Sequence, residues 1–295
     1  MAGEFDFIEW VRRQTARRDE HVLVPPGDDL AVLKWSADDL LIVGVDQVLD
    51  GVHFDSAVHT PRDIGRKVMN RNLSDCAAMA CLPAAAVATV ALPKTRDIEY
   101  AKELFLGMKA AADVFDFPIV GGDTASWDAP LAMTVTILGR SSSGIPPITR
   151  NTAKPGDSIY VTGPLGGSIL GRHMTFIPRV REARQLAQSG LVTSMIDISD
   201  GLSRDLRHIC RESGVGAALH SSEIPIHPDA DTLSRQTCRY PIEHALHDGE
   251  DYELLFTTSA EQPYGYWIGT ITAETSIIDE DGAISLEPKG WEHKL

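Results

Sequence analysis

Aspartates recur in this chain beside glycine, serine or threonine, at places where strands should give way to loops. They stand in Gly27-Asp28-Asp29, at Asp46 behind an apolar run, in Gly121-Gly122-Asp123-Thr124 behind Pro118 to Val120, and in Asp197-Ile198-Ser199-Asp200-Gly201. Asp75, in Asn72-Leu73-Ser74-Asp75, is placed on a helix instead. A single aspartate beside a glycine is an ordinary turn residue or helix cap. A set of them is different, because carboxylates gathered in one site repel one another unless a cation offsets them, and oxygen-only ligands suit Mg²⁺. The pattern points to a polyphosphate site bridged by metal. Gly121-Gly122 and the run from Gly163 to Gly167 add backbone N–H groups that phosphate oxygens can approach closely. No GxxxxGK[ST] loop, no GxGxxG behind a strand and no protein-kinase signature occurs, so neither a P-loop nor a Rossmann site accounts for nucleotide binding.

These residues need elements to position them. Leu40 to Val45, Ala84 to Leu92 and Leu131 to Gly139 are apolar runs of strand length bounded by Pro or Gly. Between them, Ile98, Ala101, Leu104, Phe105, Met108, Ala112 and Phe115 recur at three- and four-residue intervals. That spacing predicts an amphipathic helix with Thr95 as its N-cap. Strand and helix patterns alternate until about Arg140, where Ser141 to Pro147 breaks the periodicity. A boundary near residue 145 divides the chain into domains 1–145 and 146–295. The second half resumes with a strand from Ser158 to Thr162, the glycine-rich turn, and a helix after Asp200 that Gly214 ends. The class is α/β.

Composition narrows the function further. With 295 residues and 43% hydrophobic side chains, the chain is long enough for two domains with sizeable cores. Acidic residues outnumber basic ones 42 to 27, a net charge of −15, which argues against nucleic acid as a partner. Cys76, Cys81, Cys210 and Cys238 have neither zinc-site spacing nor the density of a disulfide framework, so a reducing, cytoplasmic setting is expected. No secretory leader pattern opens the chain, and the longest apolar stretch, Ala84 to Leu92, is about half the length of a membrane span.

Seven segments together are similar to one family. Gly27 to Asp29 (GDD), Asp46 to Phe54 (DQVLDGVHF), Asn72 to Met79 (NLSDCAAM), Gly121 to Thr124 (GGDT), Ala153 to Gly163 (AKPGDSIYVTG), Asp197 to Leu202 (DISDGL) and Gly249 to Phe256 (GEDYELLF) resemble thiamine-monophosphate kinases, in that family's order. The resemblance implies the aminoimidazole ribonucleotide synthetase-like fold, two α/β domains with a homodimer built through the N-terminal sheets. It also implies transfer of the ATP γ-phosphate onto thiamine monophosphate with Mg²⁺, giving thiamine diphosphate and ADP. Carried over, Asp28, Asp46, Asp75, Asp123, Asp197 and Asp200 would be metal ligands, and Gly122, Asp123, Arg150 and Ser199 would meet ATP. His53, Glu250 and Trp291 would hold the thiamine phosphate. No covalent nucleophile is required, since the acceptor is itself an ionised phosphate oxygen. The chain departs from the family at Val45, where Ser or Thr commonly precedes the aspartate, at Arg71 in place of a small apolar residue, and at Asp248 in place of glycine. Two alternatives stay open at this level: an ATP-dependent enzyme of the same superfamily with a different acceptor, and a non-catalytic homologue that binds ATP or thiamine phosphate.

Overall fold

The computed structural model describes residues 22–24, 28–36, 40–141, 144–260, 264–282, 284–287 and 289–291. Gly27 and residues 142–143 of the expected connector lie outside them. Alternation organises the first half. In β6 (Ala132–Arg140), Met133, Val135 and Ile137 are buried while Thr134, Thr136 and Leu138 are half-buried, as in a sheet with one covered face. The sheet has the order β1-β2-β3-β6-β4-β5, built from β1 (Val22–Val24), β2 (Ala31–Lys34), β3 (Leu40–Leu49), β4 (Leu82–Pro93) and β5 (Ile119–Trp127). Its pairings are antiparallel except that of β4 with β5.

Two of these strands outrun their apolar runs. β3 continues through Leu49, so Asp46 lies inside a strand rather than behind one. β5 continues through Trp127, so Gly121-Gly122-Asp123-Thr124 is mid-strand and not a strand-end loop. The reason is packing: a Cβ on Gly122 would meet the Ala88 carbonyl oxygen at 2.0 Å, so glycine lets β5 approach β4 closely.

Helices α1 (Pro61–Ala78) and α2 (Ile98–Val114) cover one face of this sheet. Thr60 caps α1 by accepting from the Asp63 N–H at 3.2 Å, with Pro61 at the first helical position. Asp97, not Thr95, caps α2, accepting from the Tyr100 N–H at 2.9 Å. A carboxylate suits the position because it also favours the positive end of the helix dipole. The helices cross in close contact at two glycines, where a Cβ on Gly65 would meet the Leu104 carbonyl oxygen at 2.0 Å and one on Gly107 the Arg62 oxygen at 2.0 Å.

The second half forms a seven-stranded sheet of order β13-β12-β9-β11-β7-β10-β8. Its strands are β7 (Ser158–Val161), β8 (Val192–Asp197), β9 (Gly216–Leu219), β10 (Leu254–Thr258), β11 (Tyr266–Thr272), β12 (Ile277–Asp279) and β13 (Ile284–Ser285). Helices α3 (Arg172–Thr175), α4 (Val180–Gln188), α5 (Leu202–Ser213), α6 (Pro228–Thr237) and α7 (Pro241–His247) complete the fold. Gly214 ends α5 in the left-handed region at φ 70°.

The faces of this sheet have different neighbours. Ile159, Val161, Ile196 and Leu255 pack with Leu202, Leu206 and Ile209 of α5. Tyr160, Met195, Leu254 and Phe256 share a core with α1, α4 and the first sheet. Helix α1 therefore lies between the two sheets, touching β3 and β6 on one side and β8 and α4 on the other.

Because a Gly→Ala change inside a helix is otherwise stabilising by about 1 kcal/mol, the crossing is testable by sign. Gly65→Ala should instead destabilise by about 1–3 kcal/mol and lower the melting temperature, since backbone must move aside. A raised melting temperature would mean that α1 and α2 are not held at this distance.

Candidate active site

Lys67, Arg71 and Asp75 follow one another at four-residue intervals on α1 and so share one face. Removing a lysine ammonium from water costs several kcal/mol, which paired and hydrogen-bonded geometry must offset. Lys67 is fully buried, and its Nζ donates to Glu250 Oε2 at 2.6 Å and to the His53 carbonyl at 2.7 Å. Arg71 donates from Nε to Asp46 Oδ2 at 2.9 Å and from NH1 to Glu250 Oε1 at 3.3 Å. The Tyr252 hydroxyl also donates to Glu250 Oε1, at 3.0 Å, and its ring stacks on Phe176 with centroids 3.9 Å apart. Burial works against ionisation of Glu250, but Lys67 and Arg71 outweigh it and hold the carboxyl below its ordinary range.

Glu250 reaches these partners through an unusual backbone. Glu250 and Tyr252 both adopt φ 54°, behind Gly249 at φ 76°. Such conformations cost a non-glycine residue about 1–2 kcal/mol each. Hydrogen bonds from the Glu250 N–H to the Ser199 carbonyl (2.8 Å) and from the Tyr252 N–H to the Ile198 carbonyl (2.9 Å) hold the loop against β8. A Cβ on Gly249 would meet the Ser199 oxygen at 2.6 Å, so this position requires glycine.

Next to Arg71, carboxylates converge. Oxygens of Asp29, Asp75 and Asp197 lie within 4.8 Å of one another. Asp75 comes from α1, Asp197 from the end of β8 and Asp29 from the segment before β2. Burial, then Asp46, Asp197 and Asp29, push Asp75 well above the usual carboxylate range. Burial and Asp29 raise Asp197 to about 7, although Ser74 Oγ donates to its Oδ2 at 2.6 Å. Burial and Asp29 likewise raise Asp28 to about 6, against the lowering effect of Arg150. The donors are all oxygen, as a hard divalent cation requires, and they lie within 4.8 Å of one another. The group fits a hard divalent cation, whose charge would offset a repulsion that the neighbouring arginines only partly relieve.

A cavity of about 600 Å³ opens beside this cluster. Asp46, Arg71, His53, Glu250, Ser199, Asp200 and Trp291 all border it. The Leu49 N–H donates to His53 Nδ1 at 3.0 Å, so the neutral ring carries its proton on Nε2. The half-exposed Trp291 is anchored by its backbone, whose N–H donates to the Asp200 carbonyl at 3.1 Å. Asp248, also in the lining, accepts from Arg239 NH1 at 3.0 Å and pairs with His244 Nδ1 at 2.6 Å, so its charge is engaged by neighbouring lining residues.

The remaining candidates are distributed differently. Arg150 grips Asp29 through Nε at 2.9 Å and through NH2, and its backbone N–H donates to Asp28 Oδ2 at 2.9 Å. Asp200 belongs to a second group with Asp205 and His208. There Asp205 Oδ2 accepts the N–H groups of Asp200 and Gly201 and so fastens the turn into α5. Burial, then Arg150, Arg211 and Arg204, drive His208 down to about 3. Asp123 stands apart. It pairs with Thr89, whereas Asp46 shares the adjacent rung with Val135 and Ala88. That register turns Asp123 to the opposite face of the sheet from Asp46, three strand spacings or about 14 Å away. Gly122 is on β5 beside it.

Sequence reasoning assigned no role to Asp29, Lys67, Tyr252 or Arg239. Lys67 had a usable signal, since Lys67, Arg71 and Asp75 form a charged stripe on a helix otherwise buried among Ile64, Val68, Met69 and Leu73. Asp29 had none, because adjacent aspartates in a loop cannot be told apart before the backbone direction is known.

The raised Asp197 sets a pH dependence. Its folded pKa of about 7 exceeds the ordinary 3.8, so the folded state holds an extra proton between those values. The corresponding stability is present below about pH 4 and is lost as pH rises through about 7. The melting temperature of metal-free protein should therefore fall from pH 5 to pH 8, and Mg²⁺ should raise it more at pH 8 than at pH 5. A Mg²⁺ effect equal at both pH values would remove the carboxylates from its binding site.

Residues 27–141 match the family described as AIR synthase related protein, N-terminal domain, and residues 154–263 match its C-terminal domain. A thiamine-monophosphate kinase of Rhodopirellula baltica is 41% identical over 266 residues, covering 88% of this chain and 83% of the relative. That of Bacillus subtilis is 32% identical and covers 98% of this chain and 99% of its own. The solved structure of AaThiL complexed with AMPPCP and TMP superposes with a TM-score of 0.87 at 26% identity, over 99% of this chain and 97% of that one. Hydrogenase maturation protein HypE, at 17% identity and a TM-score of 0.72, shares the fold, over 93% of this chain and 96% of its own. With both halves matched in order and relatives above 30% identity along nearly the whole chain, this protein belongs to the thiamine-monophosphate kinase family of AIR synthase related proteins.

Proposed function

We propose that this chain transfers the γ-phosphate of ATP onto thiamine monophosphate, giving thiamine diphosphate and ADP. The observation that supports it most is the single cavity that His53, Glu250 and Trp291 border and that meets the carboxylate cluster at Asp46 and Arg71. The cavity offers an aromatic face and a half-buried carboxylate for a heteroaromatic cation, and it borders a site for metal and polyphosphate.

In this reading an ionised oxygen of the acceptor phosphate attacks the γ-phosphorus in line, and the bond to the β-phosphate oxygen breaks as ADP leaves. No side chain has to form a covalent intermediate. The acceptor phosphate takes a hydrogen bond from His53 Nε2, while Glu250 and Trp291 hold the ring system. Asp28, Asp29, Asp46, Asp75 and Asp197 hold Mg²⁺, which when bound neutralises phosphate charge and aligns the oxygens. Asp200 at the cavity wall completes that set, and Gly122, Arg150 and Ser199 belong with the nucleotide. Asp123, on the far face of its own sheet, fits such a role through a second copy of this chain docked on that face. Exposed Val45, Val120 and Trp127 favour a homodimer there. The domains 1–145 and 146–295 then supply metal and acceptor sites jointly. Among the described residues no helix is long and apolar enough to cross a membrane; the cysteine pattern is the feature that favours a cytoplasmic setting.

Purified protein with ATP, thiamine monophosphate and Mg²⁺ should form thiamine diphosphate, and omission of metal should abolish product. Asp197→Asn should lower turnover by about 100-fold or more with little loss of fold; full activity in that variant would remove Asp197 from the site. His53→Ala should raise the KM for thiamine monophosphate more than that for ATP. Equal effects on both substrates would argue against His53 as an acceptor ligand.

A further inference from the structure

Of the residues bordering the cavity, two are permanent cations, Arg71 and Arg239. Arg239 is engaged with Asp248 and the Glu243 carbonyl. Arg71 is different in position and in what it leaves open. It rises from α1, the helix held between both sheets, and its side chain is 16% exposed. Among the described residues, its contacts to Asp46 and Glu250 use two of the five N–H groups of the guanidinium fork. NH2, the nitrogen that shares an edge of the fork with each donor already in use, has no acceptor among the described residues. The other nearby cations are committed: Lys67 Nζ is enclosed by Glu250 and the His53 carbonyl, and Arg150 clasps Asp29.

We infer that Arg71 binds the acceptor's phosphate and presents it to the incoming γ-phosphate, because it is the cation that joins a carboxylate beside the metal cluster to the carboxylate of the acceptor pocket. The inference rests on the kinase reading above and adds a residue that sets specificity for a phosphorylated acceptor. A guanidinium is suited to this position, since its planar fork can keep the Asp46 bond and still offer paired N–H groups to phosphate oxygens. Its charge is secure, because a guanidinium stays protonated at any pH at which the protein is folded. The pairing with Asp46 and Glu250 also fixes the fork before any ligand arrives, so little ordering remains to oppose binding.

The test compares two probes, thiamine monophosphate and unphosphorylated thiamine, titrated calorimetrically into wild type and Arg71→Lys, with product formation followed in parallel. Lysine keeps the charge near Asp46 and Glu250 but loses the fork. Arg71→Lys should weaken thiamine monophosphate binding by about 10- to 100-fold, the loss expected for a charged hydrogen-bonding pair, while thiamine binding and the KM for ATP stay within about twofold. Arg71→Ala, if it melts like wild type, should show the same selective loss. Equal weakening of both probes would assign Arg71 a structural role and overturn the inference, as would unchanged binding. Product from wild type with either of those results leaves the kinase reading standing; no product and no binding by wild type would sink both.

Discussion

Charged groups on a helix enclosed by two sheets need partners, because water reaches little of its surface beyond the first turns. Helix α1 carries Lys67, Arg71, Ser74 and Asp75 into that position. Each unpaired charge there would cost several kcal/mol, a large part of the whole stability of a domain. The fold meets this demand for Lys67, Arg71 and Ser74 with Glu250, the His53 carbonyl, Asp46 and Asp197, and leaves Asp75 facing other carboxylates. Asp46 belongs to the first half of the chain and Glu250 and Asp197 to the second, so the charges of α1 tie the two sheets into one arrangement.

The same constraint explains why the loop at Gly249 to Tyr252 can hold two left-handed non-glycine residues. The strain stays because Lys67, Arg71 and the backbone of Ile198 and Ser199 each hold part of the loop. A carboxylate held this way is fixed in direction before a ligand enters, which is what an acceptor pocket needs. Asp75, Asp197 and Asp29 complete the opposite case. Asp29 is clasped by Arg150, but Asp75 and Asp197 lack full compensation from the protein, and that shortfall is why the group suits a cation.

Much of the scaffold was legible along the chain. The alternation of β6 and the three- and four-residue spacing of α2 announce themselves because one face of each is buried. Where the pattern misled, a local residue took over. Asp97 replaced Thr95 as cap, and β3 and β5 continued through Asp46 and Gly122 because strand pairing does not stop where apolar character stops. The shared cavity of His53, Glu250 and Trp291 was suggested by resemblance, while the stripe of Lys67, Arg71 and Asp75 could have been read from helical spacing alone.

Residue types and their order along the chain determined that this is an acidic α/β protein, long enough for two domains, with aspartates recurring beside glycine, serine and threonine. Those properties follow from side-chain chemistry and from short-range periodicity, both of which are local. Only the tertiary structure decided which carboxylates meet. Register placed Asp123 on the face away from Asp46, backbone direction brought Asp29 to Asp75 and Asp197, and the packing of α1 between two sheets set Arg71 between Asp46 and Glu250. Those partners are separated by up to about two hundred residues in the chain, and contacts at that distance depend on how whole elements pack, which no local pattern encodes.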